Sequence, residues 1–341
     1  MKLFCIVAYD LSRDKIGGVQ NRMFRFINGL KLHNQLKLII FNLYYVNPFI
    51  DNSKNIEIYN YKDSKILQKK ICDFCFNNQV DYLYFVDYRH ILGMQNNFFK
   101  KNRPKKIIAS VPDIDLYRSK VSSNCSSKIP LEKKFFKTMT STHLDYLHVA
   151  SEAHKGLVKT YLKDKFIDFI ISPVGLFKDN YNWFKPNNAI GITSIRQRSF
   201  KNNEEVISFI NDNKIIQKAF YFTDNLKFNT SFNKLNLEFR SAKNYEGIKG
   251  FYKKALFNIN LSSIEFFANG LIEGGYYGAI PIIKSSNYLC FDLFKGNVIF
   301  ENEFNSYTLK DFQYFSKDIY NFSRKEFNLE SNITHFLKVM G

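Results

Sequence analysis

Residues Asn260–Ile283, NLSSIEFFANGLIEGGYYGAIPII, contain two carboxylates, Glu265 and Glu273, on either side of a short Phe-Ala-Asn-Gly turn. Gly274, Gly275, Gly278 and Pro281 follow. An apolar run, 256–261, leads in and reads as a strand, and a helix is expected to start near Asn269 or Gly270. On that reading Glu265 stands at the strand's carboxyl end and Glu273 in the first helical turn, with Asn269, Gly270 and Leu271 offering backbone N–H groups at the helix start. Ligands of open α/β sheets collect at that edge, where loop amides and a helix N-terminus meet an anion. A ligand with hydroxyls and phosphate suits both carboxylates. The plainer alternative keeps Glu273 as a favourable acid in a first turn and the glycines for close packing.

The rest of the chain repeats that strand-then-helix order. Over 341 residues, 45% hydrophobic and 23% charged, there is material for two domains with sizeable cores, and the composition excludes disorder and collagen. The first strand, 3–9, is followed at once by Asp10, Arg13 and Asp14, which fits neither a signal peptide nor a membrane span, so a cytoplasmic protein is expected. Five scattered cysteines read as free thiols, with Cys72 and Cys75 inside an amphipathic helical pattern. A net charge of +18 asks for an anionic partner: nucleic acid, an anionic membrane or a phosphorylated substrate.

After the first strand, Gly17 and Gly18 close a loop where Val19, Met23, Phe26, Ile27 and Leu30 begin a helical stripe. This glycine pair serves either a close approach to a ligand or a plain tight turn. Strands at 36–46, 82–86 and 105–110, with a helix at 64–76, predict a doubly wound, mostly parallel sheet. The loop Val111-Pro112-Asp113-Ile114-Asp115 falls at its ligand edge and offers Asp113 to a hydroxyl; His90 follows the preceding strand. Apolar and basic residues mix at 92–106, which suits either an anionic bilayer surface or a solvated loop. Helix, strand 146–150, helix and strand 166–171 carry the pattern to Ser172-Pro173-Val174-Gly175, where a polar stretch begins.

Domain boundaries are therefore expected at 1–175, a linker at 176–188, a second domain at 189–315 and a C-terminal helical segment at 316–341. The second domain opens with a strand, 189–194, and a basic loop containing Arg196, Arg198 and Lys201. Cations there suit a diphosphate leaving group, whose charge grows in a transition state. A basic solvent loop is the alternative. Strands at 219–222 and 235–240 and a helical pattern over 310–339 complete the chain, with no internal repeat.

The Glu265–Glu273 spacing, the Arg196–Lys201 pair five residues apart, the Gly17-Gly18 loop and the Pro-x-Gly crossing together resemble the retaining GT-B glycosyltransferases with a Glu-x7-Glu signature (family 4-like, group 1). The resemblance implies two Rossmann-like domains facing each other across a cleft, the N-terminal one for acceptor and the C-terminal one for a nucleotide-sugar donor, with the last helix packing back on the first domain. It implies that Glu265 touches the sugar, that Glu273 holds the ribose hydroxyls, and that Arg196 and Lys201 face the diphosphate, with Arg198 a substitute for Arg196. The glycine loop would lie near the donor phosphates and acceptor. Two departures stand out: Phe266-Phe267-Ala268 replaces the family's usual Gly-Phe-Gly, and Pro112 stands where relatives often have His before Asp113. His90 is a candidate for that vacancy.

The expected activity is thus retaining transfer of a hexose from a UDP- or GDP-sugar to a glycan or lipid-linked glycan. Cell-surface polysaccharide (lipopolysaccharide, capsule or O-antigen) is the expected product, made at the inner face of the membrane. No metal or other cofactor is expected, since no Asp-x-Asp pair lies on the donor side; Asp113 and Asp115 have that spacing in the acceptor domain. Three rivals remain: a GT-B nucleotide-sugar epimerase; a basic nucleic-acid-binding protein, which the absence of helix-turn-helix, zinc-finger and RNP patterns disfavours; and an inactive GT-B scaffold, which the Phe266-Phe267-Ala268 departure keeps open.

Overall fold

Apolar runs, most of them followed by a helical stripe, give the chain two parallel sheets. The computed structural model describes residues 1–9, 11, 18–43, 55–94, 98, 103–121, 128–163, 165–184, 186, 188–194, 201–223, 237–241 and 245–341. The chain divides into one unit of residues 1–117, 125–174 and 329–341 and another of 118–124 and 175–328.

The first unit carries β1 (Lys2–Tyr9), α1 (Gly18–Lys31), β2 (Leu36–Leu43), β3 (Ile56–Tyr61), α2 (Ser64–Asn77) and β4 (Tyr82–Phe85). After a 3-10 turn, Tyr88–Gly93, come β5 (Lys106–Ser110), α3 (Asp115–Val121, grouped with the second unit from Arg118 on), α4 (Ile129–Thr138), β6 (Tyr146–Val149), α5 (Glu152–Leu162) and β7 (Asp168–Ile171). Seven strands lie in the order β3-β2-β1-β4-β5-β6-β7, and every pairing is parallel. Burial on both faces explains why β2 and β4 are nearly all apolar. β3 differs: its exposed and half-buried Glu57, Tyr59 and Asn60 mark an edge strand, and the apolar pattern alone does not announce it. The stripe of α1 fills the core with Met23, Phe26, Ile27 and Leu30. Phe26 also meets Phe336 edge-on, with ring centroids 5.0 Å apart, on the helix that ends the chain.

The second unit holds β8 (Ile190–Ser194), α6 (Asn203–Asp212), β9 (Lys218–Thr223), β10 (Leu237–Ser241), α7 (Tyr245–Tyr252) and β11 (Phe257–Asn260). It continues with α8 (Asn269–Gly275), β12 (Ile280–Ile283), α9 (Tyr288–Leu293), β13 (Ile299–Phe300) and α10 (Leu309–Glu326). Its strands run β10-β9-β8-β11-β12-β13, again all parallel. Ile210, Ile216, Phe257, Ile282 and Phe312 build its core.

The helical pattern over 310–339 is two helices, α10 and α11 (Leu329–Met340), and α11 belongs to the first unit. The break has a backbone cause. The Phe327 carbonyl accepts from the Leu176 N–H at 2.9 Å, and Asn328 bridges Leu176. A carbonyl turned to that partner cannot continue a helical ladder. The polar stretch after Gly175 is fastened to the second unit: Asp179 is ion-paired with Arg324, Tyr277 Oη donates to Asp179 at 3.1 Å, and Trp183 Nε1 donates to Ser316 Oγ at 3.0 Å. No helix among the described residues is long and apolar enough to cross a membrane.

Candidate functional site

In each sheet the strand order reverses once, between β1 and β4 in the first unit and between β8 and β11 in the second. Loops leaving two such neighbouring strands part to opposite faces and open a crevice at their carboxyl ends. Among the described polar residues singled out by sequence, Lys201 and Glu265 follow the switch-point strands of the second sheet, whereas Asp113 follows β5 and Glu273 lies in the helix after β11.

In the second unit, Lys201 follows β8 and Glu265 follows β11, so adjacent strands bring together residues 64 positions apart, and Lys201 Nζ is ion-paired with Glu265 Oε1. Both side chains keep a sliver of exposure, 16% and 15%, which leaves the pair accessible to a ligand. The loop bearing Glu265 is fixed by amide side chains. Asn202 Nδ2 donates to the Leu261 carbonyl at 2.9 Å and to Ser263 Oγ at 3.1 Å, and Asn287 Nδ2 donates to the Ser262 carbonyl at 3.0 Å. Ser262 Oγ and Asn260 Nδ2 also reach Glu265 Oε1, at 3.3 and 3.4 Å.

Glu273 is buried in α8 and, as its fifth residue, lies just beyond the first turn, since α8 begins at Asn269; the expected first-turn position is corrected by about one residue. Gly270 and Leu271 follow Asn269 within the helix, Leu271 buried. Asn258 Nδ2 donates to the Gly270 carbonyl at 2.7 Å, which ties α8 to β11. That tie explains one glycine: a Cβ on Gly274 would stand 2.1 Å from Asn258 Nδ2. Ala268, just before the helix, has φ 41° and ψ 41°, the left-handed region that favours glycine. Phe266 and Phe267 are buried.

Arg196, Arg198 and Gly17 lie outside the described residues, as does much of the basic 92–106 stretch; Gly18 is the first residue of α1.

In the first unit Asp113 sits in the loop after β5, but its surroundings are unlike a lone acid awaiting a hydroxyl. Arg89, in the turn after β4, is buried and faces four carboxylates. Its Nε donates to Asp87 Oδ1 at 2.8 Å, and its Nη2 is ion-paired with Asp87 and lies 3.1 Å from Asp113 Oδ1. Its Nη1 lies 3.1 Å from both Asp115 Oδ2 and Glu132 Oε1. Glu132, on α4, also accepts from the N–H groups of Asp115 and Leu116 at 3.0 and 2.8 Å. Asp87 caps the turn by accepting from the Arg89 N–H at 3.0 Å.

Burial opposes the Arg89 charge, yet Asp87 and Asp113 outweigh it and hold the guanidinium more firmly protonated than usual. Burial likewise raises the Glu132 carboxyl, against its hydrogen bonds and Arg89. Arg22, fully buried on α1, is pushed down by burial while Tyr84, Asp113 and Asp87 oppose the shift. His90, the candidate for the place before Asp113, is pushed down to about 4 by burial, against the pull of Asp87. A neutral imidazole with so low a pKa is a poor proton acceptor near neutrality.

Arg89, Asp87 and Glu132 escaped the sequence reading. The signal was an Asp-x-Arg directly after an apolar strand, which gains meaning only once β4 and β5 are neighbours.

Asp113, Asp115 and Glu132 also offer carboxylate oxygens within 4.8 Å of one another, a spacing that could hold a metal ion. The Arg89 guanidinium contacts all three.

No protein-family model matches the sequence, and no curated protein matches it. Its fold does match solved structures along the whole length. Sucrose-phosphate synthase from Thermosynechococcus elongatus superposes with a TM-score of 0.75 at 11% identity, covering 98% of each chain. HepE from Anabaena, in complex with UDP and glucose, gives 0.67 at 11% identity over 99% of each. The lipopolysaccharide outer core galactosyltransferase WaaB gives 0.65 at 14% identity over 100% of this chain and 99% of the other. With two parallel sheets of seven and six strands, the fold is GT-B.

Proposed function

We propose that this protein transfers a sugar from a nucleotide-sugar donor to a hydroxyl-bearing acceptor. The carrying observation is the Lys201–Glu265 ion pair at the switch point of the second sheet, on a fold whose solved examples include one holding UDP and glucose. An accessible cation beside an accessible carboxylate answers both halves of such a donor: phosphate for Lys201, sugar hydroxyls for Glu265. Donor binding would exchange the internal ion pair for ligand contacts, freeing Lys201 to neutralise charge on the departing diphosphate. In this reading Arg196, with Arg198 beside it, supplements Lys201, Glu273 takes the ribose hydroxyls, and Asp113 receives the acceptor hydroxyl.

The finer proposal is retention of configuration without a metal ion, with UDP or GDP as the leaving group. The acceptor would be a lipid-linked or surface-polysaccharide glycan at the cytoplasmic face of a membrane, toward which the net charge of +18 would draw the chain.

Thermal-shift titration with UDP-, GDP-, CMP- and dTDP-sugars tests the reading. One nucleotide class should stabilise the wild type by about 3 kcal/mol at a hundredfold excess over Kd. Glu273→Ala and Lys201→Ala should abolish that shift. No response to any donor, or a response both variants keep, would overturn the proposal.

A further inference from the structure

We propose that Arg89 is the positioning residue of the first unit's sheet edge, its guanidinium taking the place of a divalent cation among Asp113, Asp115 and Glu132. The argument starts from ligand chemistry. Three carboxylates converging within 4.8 Å are an all-oxygen set of the kind that holds Mg²⁺, Ca²⁺ or Mn²⁺. Here each meets a guanidinium nitrogen at 3.1 Å, and Asp87 pairs with Nε and Nη2 of the same group.

The four acids come from three separate segments: the turn after β4, the loop after β5, and α4. One planar cation cross-links all three. Exposure is graded across it: Glu132 has none, Asp115 9% and Asp113 18%. The buried acids therefore anchor Arg89, and Arg89 in turn fixes the orientation of the exposed one. A lysine could not do the same, because its single ammonium cannot span three carboxylates in a fixed plane.

That Asp113 meets an acceptor hydroxyl rests on the sugar-transfer reading; the substitution of a cation by Arg89 does not. Removing the guanidinium should leave a carboxylate cage that a real ion can enter. Arg89→Ala is expected to lower the thermal midpoint by about 5 °C or more, and MnCl₂ should restore it. Electron paramagnetic resonance should then show stoichiometric bound Mn²⁺, lost again when Asp113→Asn is added. Wild type should bind no Mn²⁺ at this place and gain no stability from it. Arg89→Gln, closer in size, gives the same comparison if the alanine variant does not fold. Failure of both variants to bind Mn²⁺ beyond wild type, or binding that survives Asp113→Asn, overturns the proposal.

The positioning role has its own readout. Nucleotide release from whichever UDP- or GDP-sugar stabilises the wild type should become Mn²⁺-dependent in the variant, with KM for that donor unchanged; turnover indifferent to Mn²⁺ counts against it. Calorimetric titration of wild type with UDP, GDP, CMP and dTDP separates the two claims. Binding of none of them would sink the sugar-transfer reading and leave the Mn²⁺ result standing.

Discussion

The two sheet edges solve opposite electrostatic problems. At the second unit's switch point one lysine meets one carboxylate, each partly exposed, in a balanced pair that a charged ligand can take apart. At the first unit's edge one buried arginine meets four carboxylates, one of them wholly buried. A balanced accessible pair costs little to open. An arginine that cancels buried acids cannot leave without exposing them to one another. The contrast is between a pair that a ligand could open and a cluster that holds its geometry.

Histidine usage sharpens the contrast on a larger scale. All six histidines, His33, His90, His143, His148, His154 and His335, belong to the first unit. Burial pushes His148 and His154 down from 6.5 to about 3, and His90 to about 4. His148 is held neutral by geometry as well. Its Nε2 lies 2.7 Å from the Ser172 carbonyl, which can only accept, so that nitrogen carries the proton. Nδ1 is left to accept from Tyr84 Oη at 2.9 Å.

For a group whose folded pKa is depressed, the unfolded chain binds more protons in the window between the two values. The stabilisation is therefore complete above about 6.5 and is lost as pH falls. At pH 5 the loss is on the order of 2 kcal/mol for each of His148 and His154. The second unit has no histidine. Its Asp179 carboxyl is lowered, burial being outweighed by hydrogen bonds from Tyr181, Tyr277 and Arg324, so its contribution persists until pH falls below 3.8.

Acidification from pH 7 to 5 should then loosen the first unit while the second persists. Trp183, the one tryptophan, reports on the second unit, and hydrogen exchange in β6 and α5 reports on the first. Their denaturant midpoints should separate as pH falls. Midpoints that move together would break the comparison.

A second test exchanges one carboxylate at each edge. Glu132→Ala removes the acceptor for two backbone N–H groups and part of the Arg89 cage. It should cost about 3–5 kcal/mol. Glu265→Ala opens a pair that keeps some solvent contact and should cost less, about 1–2 kcal/mol, while weakening donor binding. Urea denaturation of the two variants gives both numbers, and equal costs would erase the distinction between the edges.

Much of this architecture is readable from the chain alone, because buried parallel strands leave continuous apolar runs such as 36–43 and 82–85 and the α1 stripe is regular. β3 hides because an edge strand keeps polar residues. The break between α10 and α11 hides because its cause, the Leu176 N–H, lies some 150 residues away. The two edges differ in the same way. Glu265 and Glu273 sit in one short window with glycines around them, so the pattern is local. The acids around Arg89 come from positions 87, 113, 115 and 132, and the Asp-x-Arg at 87–89 signals the cluster only once β4 and β5 are known to be neighbours. Local windows reveal motifs, whereas charge clusters built across strands become visible only with the topology.

The smallest expected effect lies where this chain departs from the family it resembles. That family usually has Gly-Phe-Gly after the first Glu, and here Ala268 occupies the last of those positions. Its backbone takes φ 41° and ψ 41°, a conformation that costs a residue with a Cβ about 1–2 kcal/mol. Strain of this kind persists only where the surroundings over-determine it. Ala268 is buried between Phe267 and the start of α8, and its carbonyl accepts from the Ile272 N–H at 3.0 Å. Ala268→Gly relieves the strain but frees the unfolded chain, which returns part of the gain. A net stabilisation of about 0.5–1 kcal/mol is expected, seen as a small rise in the denaturant midpoint of Trp183 fluorescence and no change in the exchange of β6 and α5. A destabilised Ala268→Gly variant would mean that the alanine methyl packs well enough to offset its backbone. The loop between Glu265 and α8 would then be held by side-chain contact as firmly as the cluster around Arg89 is held by charge.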